Sequence, residues 1–404
     1  MMTSESISVS EQEQALAAID DSCRRVTVWM ERSGYAGIEP HDALTSPLMR
    51  RTPLGRSRFI RLAVLQALRR LPVNLRPLLG VRPRANAVSL GWALRSLALR
   101  APAFRSEEDA RHSAEKIVQE LAEHSAQGYH GPCWGYYFDW QTRATFKPAD
   151  HPIIVSTAFI GLGLMDVHAR FGMPEAFAMA RGACEFILRD LNRTPGRRGF
   201  CFSYGPGDHE QVFNASMLGA ELLARVGAAT GEEAVVQAAR DAVAFTLDHQ
   251  QPDGSWAYGL DGHWSFIDNF HTGYVLCSLR AYSASLGDAS VADALERGWR
   301  FYRDHFFEEG GIPKYYHNRL HPIDAHAAAQ SIVTLTEFGD IVMAARVALW
   351  AINHMQTPEG YFIYQIHRRF TNRIPYLRWA NALMPYALLR LATALRGQAD
   401  AIRH

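Results

Sequence analysis

The chain has 404 residues, 48% of them hydrophobic and 21% charged, with a formal net charge of +1. This is ordinary globular composition, and no apolar run approaches the roughly 20 residues that span a bilayer. Five scattered cysteines without a CxxC argue against a disulfide framework or a zinc site, and fit a reducing, cytoplasmic compartment. The opening residues, MMTSESISVSEQEQ, are acidic and polar and lack the layout of a secretory signal.

The small net charge conceals an uneven distribution. No acidic residue occurs between Asp42 and Glu107, whereas thirteen arginines lie between Arg50 and Arg105, so the rest of the chain sums to about −12. Residues 1–105 are therefore read as an arginine-rich helical extension, and 106–404 as a repeat domain. A helix is expected over 9–33, ending at Gly34. A loop holding His41, Asp42 and Ser46 follows. The segment 57–71 reads as a basic amphipathic helix, which can lie on an anionic membrane or dock on acids of the body. Residues 50–105 are thus a candidate contact with the inner membrane. No recognisable motif for nucleic acid accompanies the charge. A short helix around 88–99 ends near Pro102.

From Ser106 the pattern repeats. A first helix, 106–126, places Glu107, Glu108 and Asp109 in its first turn, where the helix dipole favours them. Helix pairs follow at 152–171 with 173–190, 211–228 with 231–250, 267–286 with 289–307, and 323–338 with 340–355, and a last helix covers 375–397. Ser156, Asn214, His271, His326 and Asn381 mark equivalent positions, spaced 58, 57, 55 and 55 residues apart. Between pairs stand Gly-aromatic turns, of which Gly254-Ser255-Trp256 is the clearest. The first helix of each pair is small and apolar, and the second carries more charge. That asymmetry predicts an all-α, α/α toroid: an inner buried ring, an outer half-exposed ring, five to six hairpins, with the N-terminal helices available as the last pair.

In a toroid the loops entering the inner helices gather at one mouth. Here they bring Trp134, Tyr136, Asp139, Tyr204, Trp256, Tyr258, Tyr315, Tyr316 and Arg319, and with Asn214 and Asn381 these are the candidate binding residues. Aromatic faces beside ionisable groups suit a ligand with apolar ring faces and a hydroxylated or anionic rim, which describes a sugar. One aromatic per repeat could equally staple each turn to its neighbour. The candidate catalytic residues are His271 and His326, with Asp268 and Asp324 orienting them. The histidines share a register in adjacent repeats, and Asp268 lies three residues before His271 on one helix face. Two imidazoles can remove a proton from one face of a carbon and return it to the other, as an epimerase working beside a carbonyl requires. Capping aspartates with hydrogen-bonded core histidines would give the same pattern. Hydrolysis needs two carboxylates about 5–9.5 Å apart, with Asp139, Asp208, Glu210, Asp261, Asp268, Asp324 and Glu359 as candidates. No GxSxG, HExxH, P-loop or GxGxxG occurs, and neither a cofactor nor a metal is called for.

The helix–turn–GxW–helix repeat resembles the α/α-toroid superfamilies: six-hairpin glycosidases, N-acylglucosamine 2-epimerase-like enzymes, and the squalene cyclase and prenyltransferase group. Gln251 to Trp256 (QPDGSW) looks like a QW motif of the cyclases, but DxDD and DDxxD are missing, against terpene chemistry. HDALTSPL (41–48), PVNLRPLLGV (72–81) and DGSWAYG with FIDNFHTGYVL look like a bacterial family found with exopolysaccharide and capsule genes. Some of its members carry a δ-aminolevulinate dehydratase label. The true dehydratase is a TIM barrel using paired lysines, and this chain has only Lys116, Lys147 and Lys314, in an all-α pattern. The resemblance implies work on surface polysaccharide, with a sugar or lipid-linked glycan as substrate. A sugar or uronic-acid epimerase, a hydrolase or lyase, and a non-catalytic glycan-binding subunit all remain open.

Overall fold

Small residues fix how closely the helices of this chain can approach one another. The computed structural model describes residues 9–99, 105–141, 146–260 and 262–403. In chain order the helices are α1 (Val9–Arg32), α2 (Pro47–Arg51), α3 (Arg58–Arg70), α4 (Ala87–Ala98), α5 (Glu107–Glu123), α6 (Ile154–Phe171) and α7 (Pro174–Arg189). They continue with α8 (Phe213–Thr230), α9 (Glu233–Asp248), α10 (Asn269–Leu286), α11 (Ala292–His305), α12 (Ala325–Glu337), α13 (Ile341–Met355) and α14 (Leu383–Arg403). Helices α4, α6, α8, α10, α12 and α14 each pack on the next, and α14 returns to α4, so the inner ring is closed. Outside it, α5, α7, α9, α11, α13 and α1 each back an inner helix. The expected all-α toroid is present with all six hairpins, and α1 with α4 enters the rings from within residues 1–105.

The tightest crossing is between α4 and α6. A Cβ on Gly163 would stand 2.5 Å from the carbonyl oxygen of Gly91, so the two backbones touch where no side chain fits. Three of the inner helices, α6, α8 and α10, stop at a left-handed glycine. Gly172, Gly231 and Gly287 have φ of 67°, 72° and 65°, and each amide returns to the carbonyl four residues back. Turns at this end are therefore short. The connections that lead back into the inner helices are long, carry two- and three-residue antiparallel strands, and crowd the opposite end. By length and composition α6 could cross a membrane, but 72% of that span is buried as a ring helix.

Residues 36–86 cover the crowded end. They hold a small core of their own, Ala43, Leu44, Met49, Leu65 and Leu68. The fully buried Arg76 donates to Asp42 Oδ1 at 2.6 Å and to the carbonyl oxygens of Glu39 and Pro40. Glu39 pairs in turn with the buried Arg378, 3.1 Å away, at the entry to α14. The second pair ties this cap to the ring, and both would be costly to break, because a lone charge would be left in an apolar interior.

Candidate active site

Aromatic residues from the entry loops and the first turns of the inner helices enclose a cavity of about 340 Å³. Its walls include Tyr136, Trp140, Tyr204, Tyr258, Tyr315 and Trp379. Trp92, Phe159 and Tyr274 line both this cavity and a second one at the other end of the ring, so they form the septum between them. Trp92 and Phe159 lie 4.7 Å apart, and Phe159 and Tyr274 5.1 Å. The ring axis is therefore plugged halfway, and the cavity is a blind cup.

Two imidazoles enter the cup from adjacent helices. Asp268, buried at the N-cap of α10, accepts the amide of His271 at 3.0 Å through Oδ1 and faces His271 Nδ1 at 2.7 Å through Oδ2. A carboxylate is a pure acceptor, so Nδ1 carries a proton, and in the neutral form of the ring Nε2 is the nitrogen with the lone pair. This is the arrangement of a general base held by an acid. His326, one helix away on α12, is differently placed. Its Nδ1 donates to the carbonyl oxygen of Trp379 at 3.0 Å, and its Nε2 accepts the Tyr274 hydroxyl at 2.7 Å. Both nitrogens are engaged in the neutral ring. Burial, reinforced by the Arg378 charge, pushes its pKa down to about 3. The ring of Phe270 stands between the imidazoles, with its centroid 4.1 Å from that of His271 and 5.0 Å from that of His326.

Charge enters from the cap and from the approach to α14. Arg378 lines the cup, stacked over Tyr136 at 4.5 Å and Trp379 at 5.1 Å, with Glu39 behind it. Burial raises the Glu39 pKa to about 7, although Arg378 opposes that rise. The cap adds Arg69 and His41. Burial holds the imidazole of His41 well below its ordinary pKa, and the arginines Arg69, Arg378 and Arg76 push the same way. Against these cations, Asp268 is the single carboxylate lining the cup among the described residues.

Of the residues picked out from sequence, His271, His326, Asp268, Tyr136, Tyr204, Asn214, Tyr258, Tyr315 and Tyr316 meet in this one cavity. Six others do not line it. Trp134 and Trp256 are buried staples, and their indole N–H groups bond the carbonyls of Leu121 and Thr246 near the ends of α5 and α9. Asp139 braces its own loop by accepting the Ala149 amide. Asn381 bridges the backbones of Phe362 and Tyr376. Arg319 lies on the surface over the Tyr316 ring. Asp324 caps α12 through the amides of His326 and Ala327 and accepts from Gln365, and it makes no bond to the His326 ring. Asp208 and Glu210 pair with Lys147. Asp261 lies outside the described residues. The reading from sequence missed Tyr274, His41, Arg69, Arg378 and Trp379. Tyr274 alone carried a local signal, since it follows His271 by three residues on one helix face. The others lie more than 50 residues from the partners that define their role.

No protein-family model matches the sequence, and no curated protein matches it significantly. Solved structures do share the fold. A cellobiose 2-epimerase from Spirochaeta thermophila superposes with a TM-score of 0.57 at 15% identity, over 80% of this chain and 89% of its own. A GH76 α-mannanase from Bacteroides thetaiotaomicron gives 0.59 at 12% identity, over 77% and 86%. An unsaturated glucuronyl hydrolase from Streptococcus agalactiae gives 0.58 at 11% identity, over 96% and 93%. All share the six-hairpin toroid, and at these identities the likeness establishes the fold alone.

Proposed function

We propose that this protein is a carbohydrate-active enzyme that moves a proton at a sugar carbon beside a carbonyl, inverting its configuration, in the making of cell-surface polysaccharide. The observation that carries the reading is the pairing of His271 with Asp268 in an aromatic cup that holds a second, neutral imidazole. His271 Nε2 takes the proton from carbon, leaving an enediolate and an imidazolium that Asp268 stabilises. A solvent water on the opposite face of the enediolate gives a proton to carbon, and the hydroxide left behind takes the imidazolium proton, which restores both. This assigns the neutral His326, whose Nε2 accepts the Tyr274 hydroxyl, a positioning role in the cavity wall in place of direct contact with the ligand. Flat aromatic walls suit the apolar faces of a pyranose. Arg69 and Arg378 beside one carboxylate favour an anionic sugar such as a uronic acid. Hydrolysis is less well supported, because the described residues lining the cup include the single carboxylate Asp268 and no opposed pair.

Lyase chemistry begins with the same proton abstraction, so the product must be read. The test is incubation in D₂O with reducing disaccharides and hexuronic acids, followed by NMR. An epimer labelled at carbon supports the reading. An unsaturated product identifies a lyase, cleavage without label a hydrolase, and binding without turnover a glycan-binding subunit.

A further inference from the structure

Nine large apolar side chains are conspicuously exposed on the described surface, and all nine stand at one end of the molecule. Six lie in the cap between Leu48 and Leu78, and Phe59 and Leu78 are 82% and 83% exposed. The other three, Phe146, Leu260 and Phe370, sit in the connections that enter α6, α10 and α14. None lies on an outer helix or on the short turns at the far end. Exposed single hydrophobics are common, but this confinement to the rim of the cavity mouth is not expected of a surface that meets only water.

The same end is basic. Two stretches contain no Asp or Glu, residues 43–106 and 360–399. The fold brings them together: Asn372 donates to the carbonyl of Leu71 at the end of α3, and the Glu39–Arg378 pair joins them below. Seven arginines between Arg50 and Arg84 are exposed, as are Arg368, Arg369 and Arg373. On α3 the arrangement is explicit. Leu65 and Leu68 face inward, whereas Arg58, Phe59 and Arg70 face outward, and Arg61 lies 4.4 Å over the Phe146 ring.

We propose that this end of the protein docks on an anionic phospholipid bilayer, with the apolar side chains entering the interface and the arginines meeting lipid phosphates. Apolar residues interleaved with cations along two stretches free of carboxylates complement a lipid interface, where both contributions act at once. A purely electrostatic partner would leave Phe59 and Leu78 in water. The cavity opens on the same side, an orientation suited to a sugar presented on a lipid anchor, although the docking itself does not depend on what the cavity does.

The experiment is co-sedimentation of the full-length protein with vesicles of phosphatidylcholine alone or mixed with phosphatidylglycerol. Binding is expected to the anionic vesicles, weakened by salt, and to be minor for the neutral ones. Each of Arg58→Glu and Arg70→Glu should lower the partition coefficient about 5-fold or more. Phe59→Ser combined with Leu78→Ser should lower it further, while Arg300→Glu on α11 should not change it. Thermal unfolding of each variant establishes that the fold is intact, and the surface positions make this straightforward. No binding to anionic vesicles at low salt would overturn the proposal. So would binding that survives all four cap substitutions, or binding insensitive to the apolar pair, which would indicate a soluble polyanion as the partner.

Discussion

Substituting Asp268 by Asn separates the chemical from the structural role of this side chain. Two of its contacts matter, the 3.0 Å bond from the His271 amide and the 2.7 Å contact with His271 Nδ1. Asn keeps an oxygen for the amide, so the N-cap of α10 survives and stability should change by about 1 kcal/mol or less. The amide nitrogen then faces Nδ1. A donor cannot accept from a donor, so the imidazole proton moves to Nε2 and the cavity-facing nitrogen loses its lone pair. By analogy with an Asp-oriented histidine base, the loss in turnover should be on the order of 10³–10⁴, or roughly 4–5 kcal/mol in the barrier. Proton exchange at sugar carbon measures the rate, ¹⁵N NMR the tautomer, and thermal unfolding the fold. A variant that is stable, carries the proton on Nε2 and retains full exchange would refute the assignment of His271 as the base.

Other expectations follow from buried groups. His326, with its pKa held near 3 by burial, stays neutral in the folded state while its unfolded counterpart protonates near 6.5. Its stabilising contribution is therefore lost as pH falls from about 6.5 towards 3, and on the order of 4–5 kcal/mol is involved; His326→Gln should flatten the urea-midpoint profile across that window. Arg378→Met leaves Glu39 buried without its partner and should cost about 3–5 kcal/mol, whereas Arg378→Met with Glu39→Gln should recover much of that in denaturant unfolding. Gly163→Ala forces a Cβ against the Gly91 carbonyl oxygen and should cost at least about 1–3 kcal/mol in the same assay. Trp256→Ala should act through stability, by about 3–5 kcal/mol, and leave the turnover of the folded fraction unchanged, because the indole is a staple outside the cavity.

Much of the fold was legible in the sequence because packing itself is periodic. An inner ring helix must be small and apolar on most sides, so α6, α8, α10 and α12 announce themselves, and left-handed glycines such as Gly172 and Gly231 mark their ends. Equivalent register placed His271 and His326 on neighbouring helices, and both line one cavity. Register could not say which polar residue of a repeat faces the axis. Trp134 and Trp256 share the repeat's aromatic position because each turn needs a hydrogen-bonded staple, and that need yields the same pattern as a sugar platform. Asp324 illustrates the same ambiguity. Its position before His326 resembles that of Asp268 before His271, but it spends its oxygens on backbone amides and Gln365. The contributions of His41 and Arg69 were out of reach, since they depend on how the cap folds over a ring completed more than 300 residues later.

The most direct measurement is the reaction in D₂O, followed by NMR, of the purified protein with a uronic acid or reducing disaccharide that it binds. The account predicts an epimer carrying deuterium at the inverted carbon, with the glycosidic bond intact and the signal abolished in His271→Gln. An epimer without deuterium, or turnover that persists in His271→Gln, would contradict it.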